Sequence, residues 1–310
     1  MPASRRTRFL FQSLLVIVAG LLATAALGQV ITYGYDTWFA KSRAQAEDDA
    51  QRQLDQEEAP FTARAEADVS ALDGNDWTIV LDRPLTAAEV RSLEALDSLA
   101  STYPRDAWQL LGPLGGRVIG PVPRLQMVHY GGDFLPDGPT TVVRLNLFSE
   151  RTAQLSVTGM QARIVRCGPS SARFVLRHPP QGEAFYPGVL FDLRRKNPVP
   201  VVTDEGKDQG RAYFDQRKID LGGGNTPGGL RVAATVGEES CDWEIKATYE
   251  DAAGGGEVVL RNGDRPFRAE SPPRAPDQLF LYHSTLMRVV PCHGPQYATD
   301  VICRSHLRDP

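Results

Sequence analysis

With 310 residues and a formal charge of −4, the chain can build one large or two small cores. Its acidity argues against a nucleic-acid or anionic-surface partner. Setting aside Arg5, Arg6 and Arg8 makes the remainder more acidic still.

Residues 1–8 read as a cytoplasmic tip and 9–35 as a transmembrane anchor. Phe9 to Tyr35 is uncharged and exceeds the about 20 apolar residues that cross a bilayer, although Gln12, Ser13 and Gln29 interrupt it. Three arginines before it, and Asp36, Glu47, Asp48 and Asp49 after it, orient the segment N-in and C-out. Tyr33, Tyr35 and Trp38 stand where an outer aromatic belt belongs. A cleaved signal peptide with Leu14 to Leu22 as its apolar region is the rival reading, and both readings export the rest. The expected localisation is therefore the cell membrane, single-pass, with the C-terminal bulk extracytoplasmic.

Residues 36–60 form a charged stalk with helix propensity and no apolar face to bury, ending at Pro60. Residues 61–135 predict a small α+β region: strands at Thr62 to Val69 and Trp77 to Leu81, then a helix from Thr86 to about Leu99. Thr86 and Glu89 make a capping box, and Leu85 and Val90 a hydrophobic staple. Residues 112–139 are dense in Gly and Pro and read as an irregular connection, with one strand at Leu125 to Tyr130.

Residues 140–268 predict an antiparallel β-sandwich. Short β runs recur with turn signals between them, and Val143, Leu145, Leu147 and Ile245, Ala247, Tyr249 alternate as one buried and one wet face require. Asn262-Gly263, between Val258 to Leu260 and Phe267, signals a type I′ hairpin. Residues 269–310 read as a Pro-rich hinge, one or two apolar strands over Leu279 to Val290, and a cysteine-bearing tail. The fold class expected is mainly β, a sandwich preceded by a transmembrane helix and a small α+β segment.

All four cysteines lie on the exported side, where disulfides persist. Cys292 and Cys303 read as a disulfide stapling the terminus, against a zinc site that would add His293 and His306. Cys167 and Cys241 pair across the sandwich or stay as buried thiols. No strained Gly-x-Ser-x-Gly turn or Cys-His setting offers a nucleophile, and His129, His178 and His283 read as structural or surface groups. Asp215 with Asp220, or Asp204 with Glu205, are the carboxylate pairs that could act as acid and base. The glycines at 222–224 and 254–256 lack the strand-to-helix setting of a phosphate cradle. Arg194-Arg195-Lys196 reads as a solvated loop or a contact for an acidic partner. No cofactor, metal or catalytic residue is assigned.

The run Leu155 to Ala162, with Cys241-Asp242-Trp243 and Asp264-Arg265-Pro266-Phe267-Arg268, resembles uncharacterised single-pass membrane proteins of actinobacteria. The resemblance covers the anchor and residues 140–268, implies an envelope protein, and transfers no catalytic residue. The function expected is a membrane-anchored, extracytoplasmic binding or structural module of the bacterial cell envelope, non-enzymatic. Its partners would be the membrane through residues 9–35 and an envelope protein or wall polymer. The alternative is an envelope hydrolase or transferase whose carboxylates converge only in the fold.

Overall fold

The computed structural model describes residues 59–69, 72, 77–96, 102–120, 138–178, 188–203, 208–224, 228–252, 254–283, 288–294 and 303. The anchor, nearly all of the stalk, the strand expected at Leu125 to Tyr130, and His129, Asp204, Glu205 and His306 lie outside them. Among the described residues no helix is long and apolar enough to cross a membrane.

The described residues are mainly β, in three five-stranded sheets. The first runs β1 (Thr62–Ala67), β4 (Thr140–Phe148), β10 (Gly228–Thr235), β7 (Val189–Asp192), β8 (Val201–Val202). The second runs β12 (Gly254–Leu260), β11 (Ser240–Asp251), β5 (Leu155–Gly168), β9 (Ile219–Leu221), with β13 (Phe267–Ala269) also on β11. The third runs β15 (Arg288–Pro291), β14 (Gln278–His283), β6 (Phe174–His178), β2 (Trp77–Leu81), β3 (Arg117–Ile119).

The first two sheets share one core. Leu145 and Leu147 of β4, Phe191 of β7 and Val232 of β10 meet Val157 of β5 and Trp243, Ile245 and Ala247 of β11. These side chains alternate along their strands, so period-2 patterning drives a sandwich-like stack of the two sheets. Trp243 is held between Phe191 and Phe267, with ring centroids 5.3 and 5.2 Å away.

The third sheet buries both faces. Trp77, Ile79, Leu81, Phe174, Leu176 and Phe280 join Leu93 of α1 (Ala87–Glu94) and Tyr103, Ala107 and Leu111 of α2 (Tyr103–Leu111). The alternate residues Val80, Val175, Leu279 and Leu281 lie on the other face with Cys292 and Cys303. Such two-sided burial explains why β2 is apolar at nearly every position instead of alternating.

Several expectations are corrected. Two strand pairs are parallel, β7 with β10 and β6 with β14, so the sheets are mixed. The sequence segments 61–135, 140–268 and 269–310 interleave: β1 pairs with β4, and β6 lies between β2 and β14. A lone apolar strand needs edge partners, and these come from wherever the chain returns. The Gly- and Pro-rich stretch contains β3, whose Val118 and Ile119 are buried.

Ala153 to Val157 and Ala162 to Cys167, expected as two strands, are one 14-residue strand, β5. The helix begins at the Thr86 capping box as expected but ends at Glu94. The helix α2 was not anticipated. Asn262-Gly263 does not join a β12–β13 hairpin, because both strands lie along the same edge of β11. The turn runs Asn262 to Arg265, with backbone bonds of 2.9 and 3.3 Å. Positive φ occurs at Gly263, not at Asn262, the pattern of a II′ turn closing a small excursion from one edge.

Candidate functional site

Among the described residues, the outer face of the second sheet gathers a dense arrangement of charge. Cys241, Trp243 and Ile245 of β11 turn inward, so Asp242 and Glu244 between them point out. Each acid is flanked by arginines from both neighbouring strands. Arg163 of β5 donates through Nε to Glu244 Oε2 at 2.9 Å and through Nη2 to the same oxygen; Arg261, just after β12, donates to Oε1 at 2.6 Å. One register step along, Arg166 of β5 donates through Nε to Asp242 Oδ2 at 2.6 Å, and Arg268 of β13 through Nη1 to Oδ1 at 3.0 Å. The sheet thus displays two cross-strand rows of arginine, acid, arginine.

The second row continues toward the third sheet. Arg268 Nε donates to Glu270 Oε2 at 3.1 Å, and Arg117 Nε of β3 to the same oxygen at 3.0 Å. Ser170 and Ser240 hydroxyls donate to Glu270 Oε1 at 2.6 and 2.9 Å. Arg117 also forks onto Asp82 with bonds of 3.0 and 2.7 Å, and Ser171 donates to Asp82 at 2.7 Å. The expected hinge therefore starts with three buried residues, Ala269, Glu270 and Ser271, and its first carboxylate is a joint between sheets.

Depth separates the two signs of charge. The side chains of Glu244, Asp242 and Glu270 are 5%, 11% and 0% exposed, whereas those of Arg163 and Arg166 are 59% and 77% exposed. The Arg163 hydrogen bond, against burial and with help from Arg261, holds the Glu244 carboxyl below its usual range. Burial works to raise Asp242, but Arg166 and Arg268 outweigh it and its pKa is lowered. Arg117 does the same for Asp82. Arg166 and Arg261 each spend only Nε on these bonds, leaving their Nη groups for another acceptor. Such a planar fork matches a carboxylate or phosphate.

Beside this face runs the far edge of β5. β9 pairs only with Leu155 to Val157, and further on Ala162 N donates to Pro198 O at 2.9 Å. Among the described strands none pairs with that edge from Arg163 to Cys167. The register with β11 slips by one here: Arg166 faces Asp242 and Ile164 faces Trp243, so Val165 is the extra residue of a bulge. Ile164 and Val165 are 38% and 52% exposed.

Both disulfides are present. Cys292 joins Cys303 over the third sheet. That bond consumes the thiolates a zinc ion would need, and His293 lies against Phe280 with Nδ1 3.2 Å from Leu279 O. Cys167 joins Cys241, but the two are directly opposed on adjacent strands β5 and β11, so the bond is within one sheet, not across the sandwich. It closes β5 one register step beyond Arg166.

The other singled-out groups are scattered. His178 stacks between Trp77 and Tyr282 in the helix-backed core. Asp220 takes hydrogen bonds from Ser156 and Lys218, which lower its pKa, and is not paired with Asp215 by any described contact. Arg194 and Arg195 fold back onto the buried Asp192, so two charges of the basic run have an internal partner. Gly254, Gly255 and Gly256 belong to β12, where a Cβ at Gly256 would meet the Tyr249 hydroxyl at 2.8 Å. Among the described residues no three His, Cys, Asp or Glu gather as metal ligands.

The arginine face escaped the sequence because its members come from four strands. The available signal was local: Asp242 and Glu244 alternate with Trp243 and Ile245, and Arg163 and Arg166 bracket two apolar residues. No family model matches this chain, and a search of the curated proteins returns no match.

Proposed function

We propose that the chain is a membrane-anchored, extracytoplasmic binding module of the bacterial cell envelope, non-enzymatic, whose outer sheet face engages an anionic partner. The observation that carries this reading is the pair of arginine rows. Buried carboxylates fix the guanidinium groups from below while their free donors face solvent, which lowers the ordering cost of binding. The two disulfides suggest an oxidising, extracytoplasmic compartment. The N-terminal apolar stretch supports anchoring, and the resemblance to actinobacterial single-pass proteins supports the envelope. For the enzyme alternative, carboxylates do converge here, but arginine holds Asp242, Glu244 and Asp82 low, opposite to what a general acid needs near neutral pH.

The test uses the full chain in intact cells. A photoreactive side chain at Val259, on the outer face of β12, should yield an adduct that is lost in Arg166→Gln or at about 0.5 M salt. The same group at Glu238, in the β10–β11 turn, should yield none. A tag after Pro310 should be removed by protease added outside. A protected tag overturns the topology; an adduct indifferent to salt and to Arg166 overturns the binding face.

A further inference from the structure

We propose that the open edge of β5, from Arg163 to Cys167, accepts an extended segment of a partner protein as an added strand, selected by acids spaced i and i+2. This deepens the binding reading above and rests on it. The backbone supplies one half of the argument: a strand edge unpaired by any described strand offers its donors and acceptors to another backbone. A polysaccharide or phosphodiester polymer cannot complete that ladder.

The side chains supply the other half, and β11 is the template. On its paired side, β5 sets Arg166 against Asp242 and Arg163 against Glu244. The bulge at Val165 shortens the three-residue interval between the arginines to a two-residue interval on the opposing strand. A strand added on the far side meets the same interval, so acid-x-acid brings a carboxylate beside each guanidinium. β11 already shows that one acid can sit between two arginines; the added strand would place each of these arginines between two acids. Ile164 and Val165 give it apolar surface between the charges.

The same charges select against a second copy of this chain. Two β5 edges laid together oppose arginine with arginine, which cross-strand pairing disfavours. The edge thus disfavours a second copy of itself and favours an acidic strand.

The experiment uses the full chain in detergent and a fluorescent octapeptide of valine and threonine with a central Asp-x-Glu, read by anisotropy. The peptide should bind about tenfold more tightly than its Lys-x-Lys counterpart, a difference of about 1.4 kcal/mol. N-methylation of its backbone should abolish binding. Arg166→Gln should weaken it several-fold. Because that variant leaves Asp242 with fewer partners, Val165→Glu provides a second arm: it leaves the buried acids untouched and should reverse the preference toward the lysine peptide. An N-methylated peptide that binds as well as the parent, or a Val165→Glu chain that keeps its acidic preference, overturns strand addition. So does polyphosphate binding that the octapeptide cannot displace. If the Val259 adduct forms in cells while no peptide binds, strand addition fails and the anion-binding face survives; if neither occurs, both readings fall.

Discussion

Replacing Glu270 tests whether the buried carboxylate holds the sandwich to the helix-backed sheet. Its side chain is fully buried and accepts from Arg117, Arg268, Ser170 and Ser240. In Glu270→Gln the carbonyl can keep facing the two arginines, and the amide can donate to the serines, whose hydroxyls rotate to accept. What is lost is charge assistance on two bonds. A hydrogen bond to a charged acceptor exceeds a neutral one by about 1 to 1.5 kcal/mol, so the substitution should cost about 2 to 3 kcal/mol. Glu270→Ala also strands four donors and should cost more, about 4 to 5 kcal/mol. Urea unfolding of the full chain, followed by tryptophan fluorescence and near-ultraviolet circular dichroism, measures both. Trp243 reports the sandwich core and Trp77 the helix-backed core. A Gln variant within about 0.5 kcal/mol of the parent, or an Ala variant no worse than Gln, would refute the assignment of Glu270 as a joint.

Three further outcomes are expected. Removing Cys167–Cys241 by double serine substitution should cost about 4.5 kcal/mol, against about 2.7 for Cys292–Cys303, because the closed loops span 74 and 11 residues; denaturant midpoints in the reverse order would contradict the loop argument. The folded pKa values of Asp82, Asp242 and Glu244 lie below their unfolded ones, so their stabilisation is complete above the unfolded values, about 4, and is lost as pH falls through the folded values. Stability should be insensitive to these groups from neutrality to about pH 5 and then fall, which an acid titration by circular dichroism checks. Thr86→Ala removes the cap of α1 and should cost about 1 kcal/mol, with faster amide exchange confined to the first turn of that helix.

Local chemistry was legible in the residues. The cap at Thr86 and Glu89 needs only four positions, and the inward faces of β4 and β11 need only alternation. Sheet partnership was not legible. β6 pairs in parallel with β14, and Phe174 faces Gln278 across more than a hundred intervening positions, so no turn signal records it. β3 was hidden because three residues are too few to show a period. A signal for α2 was there: Pro104 in the first turn, with Tyr103, Ala107 and Leu111 four apart.

The arginine face exposes a limit of composition itself. A net-negative chain argues against anionic partners, yet around Asp242 and Glu244 the outermost groups are the guanidinium groups of Arg163 and Arg166. The resolution lies in side-chain length. Aspartate and glutamate on β11 are short and stay near the backbone, whereas arginines from β5, from β13 and just after β12 reach over them toward water. Around Glu244 and Asp242 two arginines flank each acid, and the acid is the buried member. Sorting by depth therefore puts guanidinium outermost around these two acids independently of the sign of the chain. The proposed acidic strand would meet that outermost charge along the β5 edge, where Arg163 and Arg166 are the most exposed members.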